Sequence, residues 1–365
     1  MKEATLISVA LFALTIHAFE LDLYYRNKGR FREKRDIVYA DLSMGEGSVL
    51  IAHISLGTPA QNFCVVVDTS LDVTVLLSST ANHADWDQKR KYDRSSSTTE
   101  EVVAINIYSR NVRGLGIKDA FQLDGRPVGR LSFSLLTAYN PNARLPALGD
   151  GYLGLGHPDV ERTVTDFNVL NVMSADQMVD YKRFTLLCVC ATHRNALEPD
   201  ARIVFGSHHT INPGEFHMMT ADISRATWKF QVSRLSTPVR LISSRSFTAT
   251  LDSTTWLNKA SVDRARRINT ALGATLSGDV YVVDCNRIGE LLTLVFTAQG
   301  AELSLTPQQY IQKDEFQGET RCFSSIVPDP TIRTERMVLG MTFMEHFITM
   351  FDQQEKQLGF KPRVC

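Results

Sequence analysis

The sequence of 365 residues lacks any apolar run of about 18 residues, so it predicts no membrane-spanning helix. It also lacks an excess of one charge, and its net charge of −1 gives no reason to expect nucleic acid or acidic lipid as a partner. No Asn-x-Ser/Thr sequon is present, so we expect no N-glycan. Its six cysteines have no CxxC or HxxxH spacing nearby, which leaves a zinc site without support.

The N-terminus has one short apolar run, from Ala4 to Ile16. Its 13 residues are too few to cross a bilayer comfortably, and a small residue, Ala18, follows. A buried N-terminal strand or helix is the alternative interpretation. The pattern favours a signal peptide over residues 1–18, hence the secretory pathway and an extracellular or endolysosomal destination.

A basic segment, RNKGRFREKR, occupies residues 26–35 and ends in the dibasic pair Lys34-Arg35. A solvated surface segment is the simplest interpretation. The dibasic end favours a short pro-segment or linker over residues 19–46, cut by a convertase-type protease. Nucleic-acid binding is disfavoured, because no aromatic platform or further basic stripe accompanies the segment.

The cysteines stand at positions 64, 188, 190, 285, 322 and 365. In a secreted chain some of them should pair. Cys188 and Cys190 would share one face of a strand with Cα atoms roughly 6.5–7 Å apart, which is too far for an easy bridge. Residue spacing alone leaves the pairing open.

Many short β-type runs separated by turn residues, such as Gly-Thr-Pro at 57–59, predict a mostly β protein. Two helices are predicted, over residues 175–184 and 255–268. The length suggests two compact units or one two-lobed unit.

The chain also repeats itself. CVVVDTS at 64–70 has a counterpart in TATLDST at 248–254, and each run delivers an aspartate followed by a hydroxyl residue. Asp68 is 86 residues before Gly154, and Asp252 is 88 residues before Gly340, each glycine following two apolar residues. A buried, unpaired carboxylate is costly. We therefore predict two similar lobes that bring Asp68 and Asp252 together at a shared cleft.

These segments resemble those of the pepsin-like aspartic proteases, and the resemblance covers about residues 47–362. It is carried by ISLGTPAQNFCVVVDTS, KYDRSSST, DGYLGLGHP, ARIVFGS, SFTATLDSTT and MVLGMTFMEHFITMFDQQEKQLGFKP. It implies a bilobal fold of two β-barrel-like lobes, over residues 47–200 and 201–365, with the active-site cleft between them. It further implies a Cys285–Cys322 disulfide, a monomer, a polypeptide substrate, and neither metal nor organic cofactor.

The chemistry implied by the resemblance is peptide hydrolysis by water activated between Asp68 and Asp252. Two close carboxylates share one proton, so one can act as general base and the other as general acid at acidic pH. Thr69 and Ser253 match the hydroxyl residues that hydrogen-bond across to the opposite loop. Thr255 matches a supporting hydroxyl of the second loop.

The motifs are degenerate at both loops. The family has glycine where this chain has Ser70 and Thr254, and a serine or threonine where it has Leu71. If these positions need the close approach that glycine allows, the added side chains displace the carboxylates, and a shift of about 1 Å can cost on the order of 100-fold in rate. Met341 replaces an acid that usually follows the second-lobe glycine.

The flap hairpin of the family is matched by INIYSRNVRGLG at 105–116, with Tyr108 at the tyrosine that covers substrate. Ser109-Arg110-Asn111 replaces the glycine-rich tip, and Val75 stands where that tyrosine normally meets a tryptophan. Two hypotheses follow. The first is an aspartic endopeptidase, possessing weakened catalysis or altered specificity; the second is an inactive protein of the same fold that binds a peptide or protein partner in its cleft.

Overall fold

The computed structural model describes residues 18–26, 49–81, 89–109, 112–139, 149–158, 165–188, 201–316 and 319–364. Strands dominate these residues, as predicted. The strands of the first half are β1 Ala18–Arg26, β2 Val49–Leu56, β3 Gln61–Asp68, β4 Val75–Leu77, β5 Glu101–Ser109, β6 Val112–Leu123, β7 Arg126–Tyr139, β8 Gly151–Gly154, β9 Arg183–Cys188 and β10 Ala201–Gly206.

The second half contributes shorter strands. They are β11 His217–Thr220, β12 Lys229–Val232, β13 Arg234–Thr237, β14 Arg240–Ser243, β15 Phe247–Leu251, β16 Asn258–Ala260, β17 Thr275–Ser277, β18 Val280–Val283, β19 Leu294–Ala298, β20 Ala301–Leu305, β21 Ile311–Phe316, β22 Glu319–Ser324, β23 Ile326–Pro328, β24 Arg336–Leu339, β25 Phe347–Asp352 and β26 Gln357–Pro362.

The helices are short: α1 Val169–Ala175, α2 Val262–Ala271, α3 Pro307–Tyr310 and α4 Met341–Met344. The predicted helix over 175–184 is wrong, because α1 ends at Ala175 and a positive φ of 57° at Gln177 turns the chain into β9. The prediction over 255–268 is partly right. Residues 258–260 form β16, and α2 begins only after Ser261, whose hydroxyl accepts a bond from the Arg264 N–H at 3.4 Å.

The first lobe is a closed β-barrel. Its strands follow one another around the barrel in the order β2-β3-β8-β4-β7-β6, and β6 closes the circle by pairing with β2. Within it β3 and β8 run parallel, with Asp68 opposite Gly154, and β8 runs antiparallel to β4. The paired residues of β3 and β8 are 86 apart in the chain, and those of the other parallel pair, β4 and β7, are 59 apart.

The second lobe repeats this arrangement. Strands β15 and β24 run parallel, with Leu251 opposite Leu339, and β24 runs antiparallel to β16. Val75 of β4 lies opposite Tyr152, and Lys259 of β16 lies opposite Val338. The predicted internal repeat is therefore a repeat of strand pairing, and the mostly β, bilobal fold is confirmed.

A sheet with the order β11-β26-β25-β9-β10-β1 joins the two halves of the chain. In β1 the buried side chains of Phe19, Leu21 and Leu23 alternate with half-exposed Glu20 and Asp22, the period of a strand with one covered face. Strand β1 begins at Ala18, the last residue of the predicted signal peptide, and its other residues form the first part of the predicted pro-segment. The rest of that segment and residues 1–17 of the predicted signal peptide lie outside the described residues.

One large hydrophobic core fills both lobes and the space between them. Trp228, which precedes β12, is fully buried and donates its indole N–H to the Leu155 carbonyl at 2.9 Å. The Phe184 ring of β9 and the Phe351 ring of β25 stack beside it, 4.5 Å apart. Because Leu155 follows β8, this cluster fixes the first-lobe site strands against the second lobe.

Cys285 and Cys322 form a disulfide, as the resemblance implied. It joins the turn after β18 to β22. Cys64 lies half-buried on β3, with its Sγ 4.0 Å from the His53 Nδ1 of β2. Cys188 ends β9 and is buried. Cys190 and Cys365 lie outside the described residues.

Candidate active site

Two strand ends present the predicted acids. Asp68 is the last residue of β3 and is only 6% exposed, while Asp252 directly follows β15 and is half-buried. The neighbouring parallel strands hold both backbones. The Leu155 N–H donates to the Asp68 carbonyl at 2.8 Å, and the Asp252 N–H donates to the Leu339 carbonyl at 3.1 Å.

The two loops that follow Asp68 and Asp252 are joined by reciprocal hydrogen bonds between Thr69 and Ser253. The Thr69 backbone N–H donates to the Ser253 Oγ at 3.0 Å, and the Ser253 backbone N–H donates to the Thr69 Oγ1 at 3.1 Å. Each hydroxyl then donates onward across the interface, Thr69 to the Leu251 carbonyl at 3.1 Å and Ser253 to the Val67 carbonyl at 2.7 Å. Each of these four buried hydrogen bonds has a counterpart in the other loop, so the two loops are arranged with approximate two-fold symmetry.

Ser70 and Thr254 extend the same symmetry. The Ser70 N–H and Oγ both donate to Asp68 Oδ1 at 2.7 Å. The Thr254 N–H donates to Asp252 Oδ1 at 2.9 Å, and its Oγ1 donates at 2.6 Å. The side chains that replace glycine therefore bond to the carboxylates, and the loops keep their reciprocal contacts. Whether the added side chains slow catalysis stays a prediction.

Leu71 keeps the backbone role of its position and loses the hydroxyl. Its backbone N–H acts to lower the pKa of the Asp68 carboxyl, and its carbonyl accepts the Gly156 N–H at 2.7 Å. Thr255 is buried in the second loop, and its carbonyl accepts the Met341 N–H at 2.8 Å. Leu71 therefore brings no side-chain donor to the Asp68 carboxylate, whereas the resemblance implied a serine or threonine hydroxyl at this position.

Burial and the nearby charge of Asp252 raise the pKa of Asp68 to about 7, and the bonds from Ser70 and Leu71 oppose that rise. Desolvation disfavours the charged carboxylate, and a neighbouring negative charge disfavours it further. Asp68 therefore keeps its proton at pH values at which an ordinary carboxyl is ionised.

Gly154 ends β8 and lies against the loop after Asp68, and Gly340 follows β24 and lies against the loop after Asp252. A Cβ on Gly154 would lie 2.3 Å from the Val73 carbonyl oxygen, and one on Gly340 would lie 2.4 Å from the Thr255 carbonyl oxygen. Only glycine permits this approach of two backbones. Both glycines belong to the sequence repeat.

The flap hairpin is formed by β5 and β6, with Tyr108 opposite Arg113 in the register. The side chain of Tyr108 and the tip residues Arg110 and Asn111 lie outside the described residues, so its role as flap tyrosine stays a prediction. Val75 is half-buried on β4, between β7 and β8.

Sequence reasoning missed Asn258 of β16, which is buried behind the second loop. Its Oδ1 accepts the Gly340 N–H at 3.0 Å, and its Nδ2 donates to the Thr342 Oγ1 at 2.9 Å and the Ser325 Oγ at 3.2 Å. Asn258 thereby fixes the glycine strand that runs beside Asp252. No local signal marks it, because its partners are 67 to 84 residues away.

Comparison with known families matches residues 50–363 to "Asp: Eukaryotic aspartyl protease". The chain belongs to the eukaryotic aspartyl proteases. This aspartyl protease is 27% identical over 330 residues to renin from Echis ocellatus, covering 84% of the chain and 78% of the relative. It is 26% identical to cathepsin D from Clupea harengus, with 84% and 79% covered, and 26% identical to cathepsin E-A from Xenopus laevis, with 85% and 78% covered.

Among the described residues, this aspartyl protease has no helix long and apolar enough to cross a membrane. The same residues contain no group of three or more His, Cys, Asp or Glu side chains arranged to hold a metal ion.

Proposed function

We propose that this aspartyl protease is an acid endopeptidase in which Asp68 and Asp252 activate one water molecule between them. The main support for the proposal is the symmetric pair of loops that follow Asp68 and Asp252 and hydrogen-bond to each other. Each acid stands at the end of a parallel strand and accepts two bonds from the second residue after it. Burial and, after it, the charge of Asp252 raise the pKa of Asp68.

The raised pKa of Asp68 supports different roles for the two acids, one as general base and the other as general acid. Below about pH 7 Asp68 keeps its proton beside Asp252. The ionised carboxylate takes a proton from water, whose oxygen attacks the scissile carbonyl carbon, while the protonated carboxyl donates to the carbonyl oxygen. Collapse of the resulting diol breaks the C–N bond after the leaving nitrogen is protonated, giving one carboxylic acid and one amine.

The substrate of this reaction is an extended polypeptide in the cleft between the lobes. Tyr108 would cover it from the flap hairpin. The loops are fixed by Thr69, Ser253 and Asn258, so the acids need no ordering when substrate binds. We propose that the enzyme acts as a monomer without metal or organic cofactor.

The test is cleavage of an unfolded protein at pH 3 to 5, with and without a statine-type inhibitor. Asp68→Asn and Asp252→Asn should each abolish cleavage, because an amide can neither accept nor supply the shared proton. Asp124→Asn is the matched control, since Asp124 lies exposed in the β6–β7 turn at φ 47°, where Asn is tolerated. Absence of cleavage at every acidic pH would contradict the proposal.

An inactive peptide-binding protein is the second candidate, and the environment of the carboxylates favours it. Each Oδ1 has a hydroxyl donor that glycine could not supply, and Leu71 brings no hydroxyl to Asp68. This candidate predicts peptide binding without turnover, and turnover in the double variant Ser70→Gly/Thr254→Gly. Robust turnover by the unaltered protein excludes it.

We also propose that residues 1–18 direct the chain into the secretory pathway and that cleavage follows Lys34-Arg35. Such cleavage would cut the chain between β1 and β2, so the β1 peptide would leave the sheet or stay bound without a covalent link. Mass spectrometry of the secreted protein under native and denaturing conditions distinguishes these outcomes. An intact N-terminus preceding Arg35 in all mature protein would contradict the cleavage.

A further inference from the structure

The second lobe gathers a set of arginines at the end of its strands opposite the acids. Strands β15 and β24 run parallel, with Thr248 opposite Arg336 at their beginnings. Their other ends lead to Asp252 and Gly340. Phe247 begins β15 and stands five residues before Asp252, so at about 3.3 Å per residue it lies roughly 16 Å from the acid. A partner bound there would leave the cleft open.

Helix α2 brings further arginines to the same place. The Arg264 guanidinium lies 3.8 Å from the centroid of the Phe247 ring, the first residue of β15, and also donates to the Thr334 carbonyl just before β24. One half-buried side chain therefore connects the helix to the beginnings of both strands. Arg266 and Arg267 extend outward from the next turn, with side chains 67% and 62% exposed.

We name the set the arginine surface. It consists of Arg245, Arg264, Arg266, Arg267, Arg333 and Arg336.

The charges of this surface are only partly compensated. Asp263 pairs with Arg266 at 2.7 Å and also with Arg267. The charges of Arg333 and Arg336 both act on Glu335 and lower its pKa, after the hydrogen bonds from its own backbone N–H and from Thr334. Six guanidinium groups face two carboxylates within these segments. The pKa of Arg264 is lowered mainly by burial and further by the charges of Arg267 and Arg245, whereas Asp263 acts in the opposite direction. A protein with a net charge of −1 thus has a concentrated excess of positive charge here.

We propose that the arginine surface binds a sulfated polysaccharide. All six cations are arginines, whose planar guanidinium groups bond oxyanions through two parallel N–H donors. Closely spaced sulfate groups on one chain would relieve the repulsion among the guanidinium groups. The proposal concerns a surface away from the cleft, so it does not depend on whether the protein cleaves peptides.

A charged membrane fits this surface less well. Binding at a lipid interface combines basic residues with large apolar side chains that enter the bilayer. Val262, 52% exposed, is the large exposed aliphatic residue of these segments. Val239 and Leu241 are also exposed on the β13–β14 hairpin, which packs near α2, so lipid vesicles belong in the test.

The experiment measures heparin binding by the full chain in a salt gradient and by titration at 0.15 M NaCl. The test variant carries Gln at Arg266, Arg267, Arg333 and Arg336, all of which are exposed. The control variant carries Gln at exposed Arg90, Arg130, Arg287 and Lys313 and so loses the same charge elsewhere. We expect the test variant to bind roughly tenfold more weakly or worse, and the control to bind nearly as wild type.

Two double variants, Arg266→Gln/Arg267→Gln and Arg333→Gln/Arg336→Gln, separate binding from folding, and each should weaken binding with an unchanged melting temperature. Neutral dextran should not bind. The proposal is overturned if heparin fails to bind, or if test and control variants lose affinity equally. It is also overturned if phosphatidylserine vesicles bind through these arginines while heparin does not.

Discussion

The backbone N–H of Thr69 donates to the Ser253 hydroxyl, and the backbone N–H of Ser253 donates to the Thr69 hydroxyl, across 184 residues of sequence. Asp68 and Asp252 each stand one residue before these donors. The positions of the two carboxylates therefore depend on a contact between lobes and not on either loop alone.

We predict that Thr69→Val destabilises the protein by about 2–3 kcal/mol. The variant keeps the side-chain shape but leaves the buried Ser253 N–H and Leu251 carbonyl without their partner. Equilibrium urea unfolding measures the change. Thr69→Ser is the control, because it retains the hydroxyl, and equal stability of the two variants would contradict the account.

The hydroxyl of Ser70 should lower the pKa of the acid pair, because it donates to Asp68 Oδ1 and stabilises the ionised form. We therefore predict that Ser70→Ala moves the alkaline limb of the kcat/KM profile to higher pH. Ser70→Gly should move it in the same direction, since both variants lack the hydroxyl. If only Ser70→Gly differs from wild type, then removal of the Cβ matters and the hydroxyl does not.

Gly154→Ala should destabilise the protein by about 3 kcal/mol or more, because the added Cβ would clash with the Val73 carbonyl oxygen. Thermal unfolding followed by circular dichroism measures the loss. Gly289→Ala is the matched control, since a Cβ there meets no atom within 4 Å and the backbone needs no positive φ. A Gly154→Ala melting temperature equal to that of the control would show that the close approach is not required.

The raised pKa of Asp68 predicts a pH-dependent stability. The folded protein holds this proton up to about pH 7, whereas the carboxyl of the unfolded chain releases it near its ordinary pKa of 3.8. The folded state therefore binds more protons between these values, and stability falls as pH rises from about 4 to 7. Asp68→Asn should make the melting temperature less dependent on pH over this window. An unchanged slope would contradict the assignment.

The sequence predicted the parts of the site that are local or repeated. Asp68, Asp252 and the hydroxyl residues after them lie within two short matching runs, and the glycines lie at matched distances beyond. Because each lobe folds its copy into the same strand pairing, the repeat was sufficient to predict which loops meet.

The remaining features depend on contacts that no local pattern records. Asn258 holds Gly340 from 82 residues away, and Trp228 holds Leu155 from 73 residues away. From the sequence, Ser70 and Thr254 were expected to displace the carboxylates, because the sequence shows only that they are larger than glycine. The structure shows their hydroxyl directions, and those decide that they bond to the acids.

The most direct test of the central claim is a ¹³C NMR titration of the Asp68 carboxyl in wild type and in Asp252→Asn, with the resonance assigned by its loss in Asp68→Asn. The account predicts a pKa of about 7 in wild type and a lower pKa in Asp252→Asn, because the neighbouring charge is gone. The same Asp68 pKa in both proteins would show that the two carboxyls do not share a site.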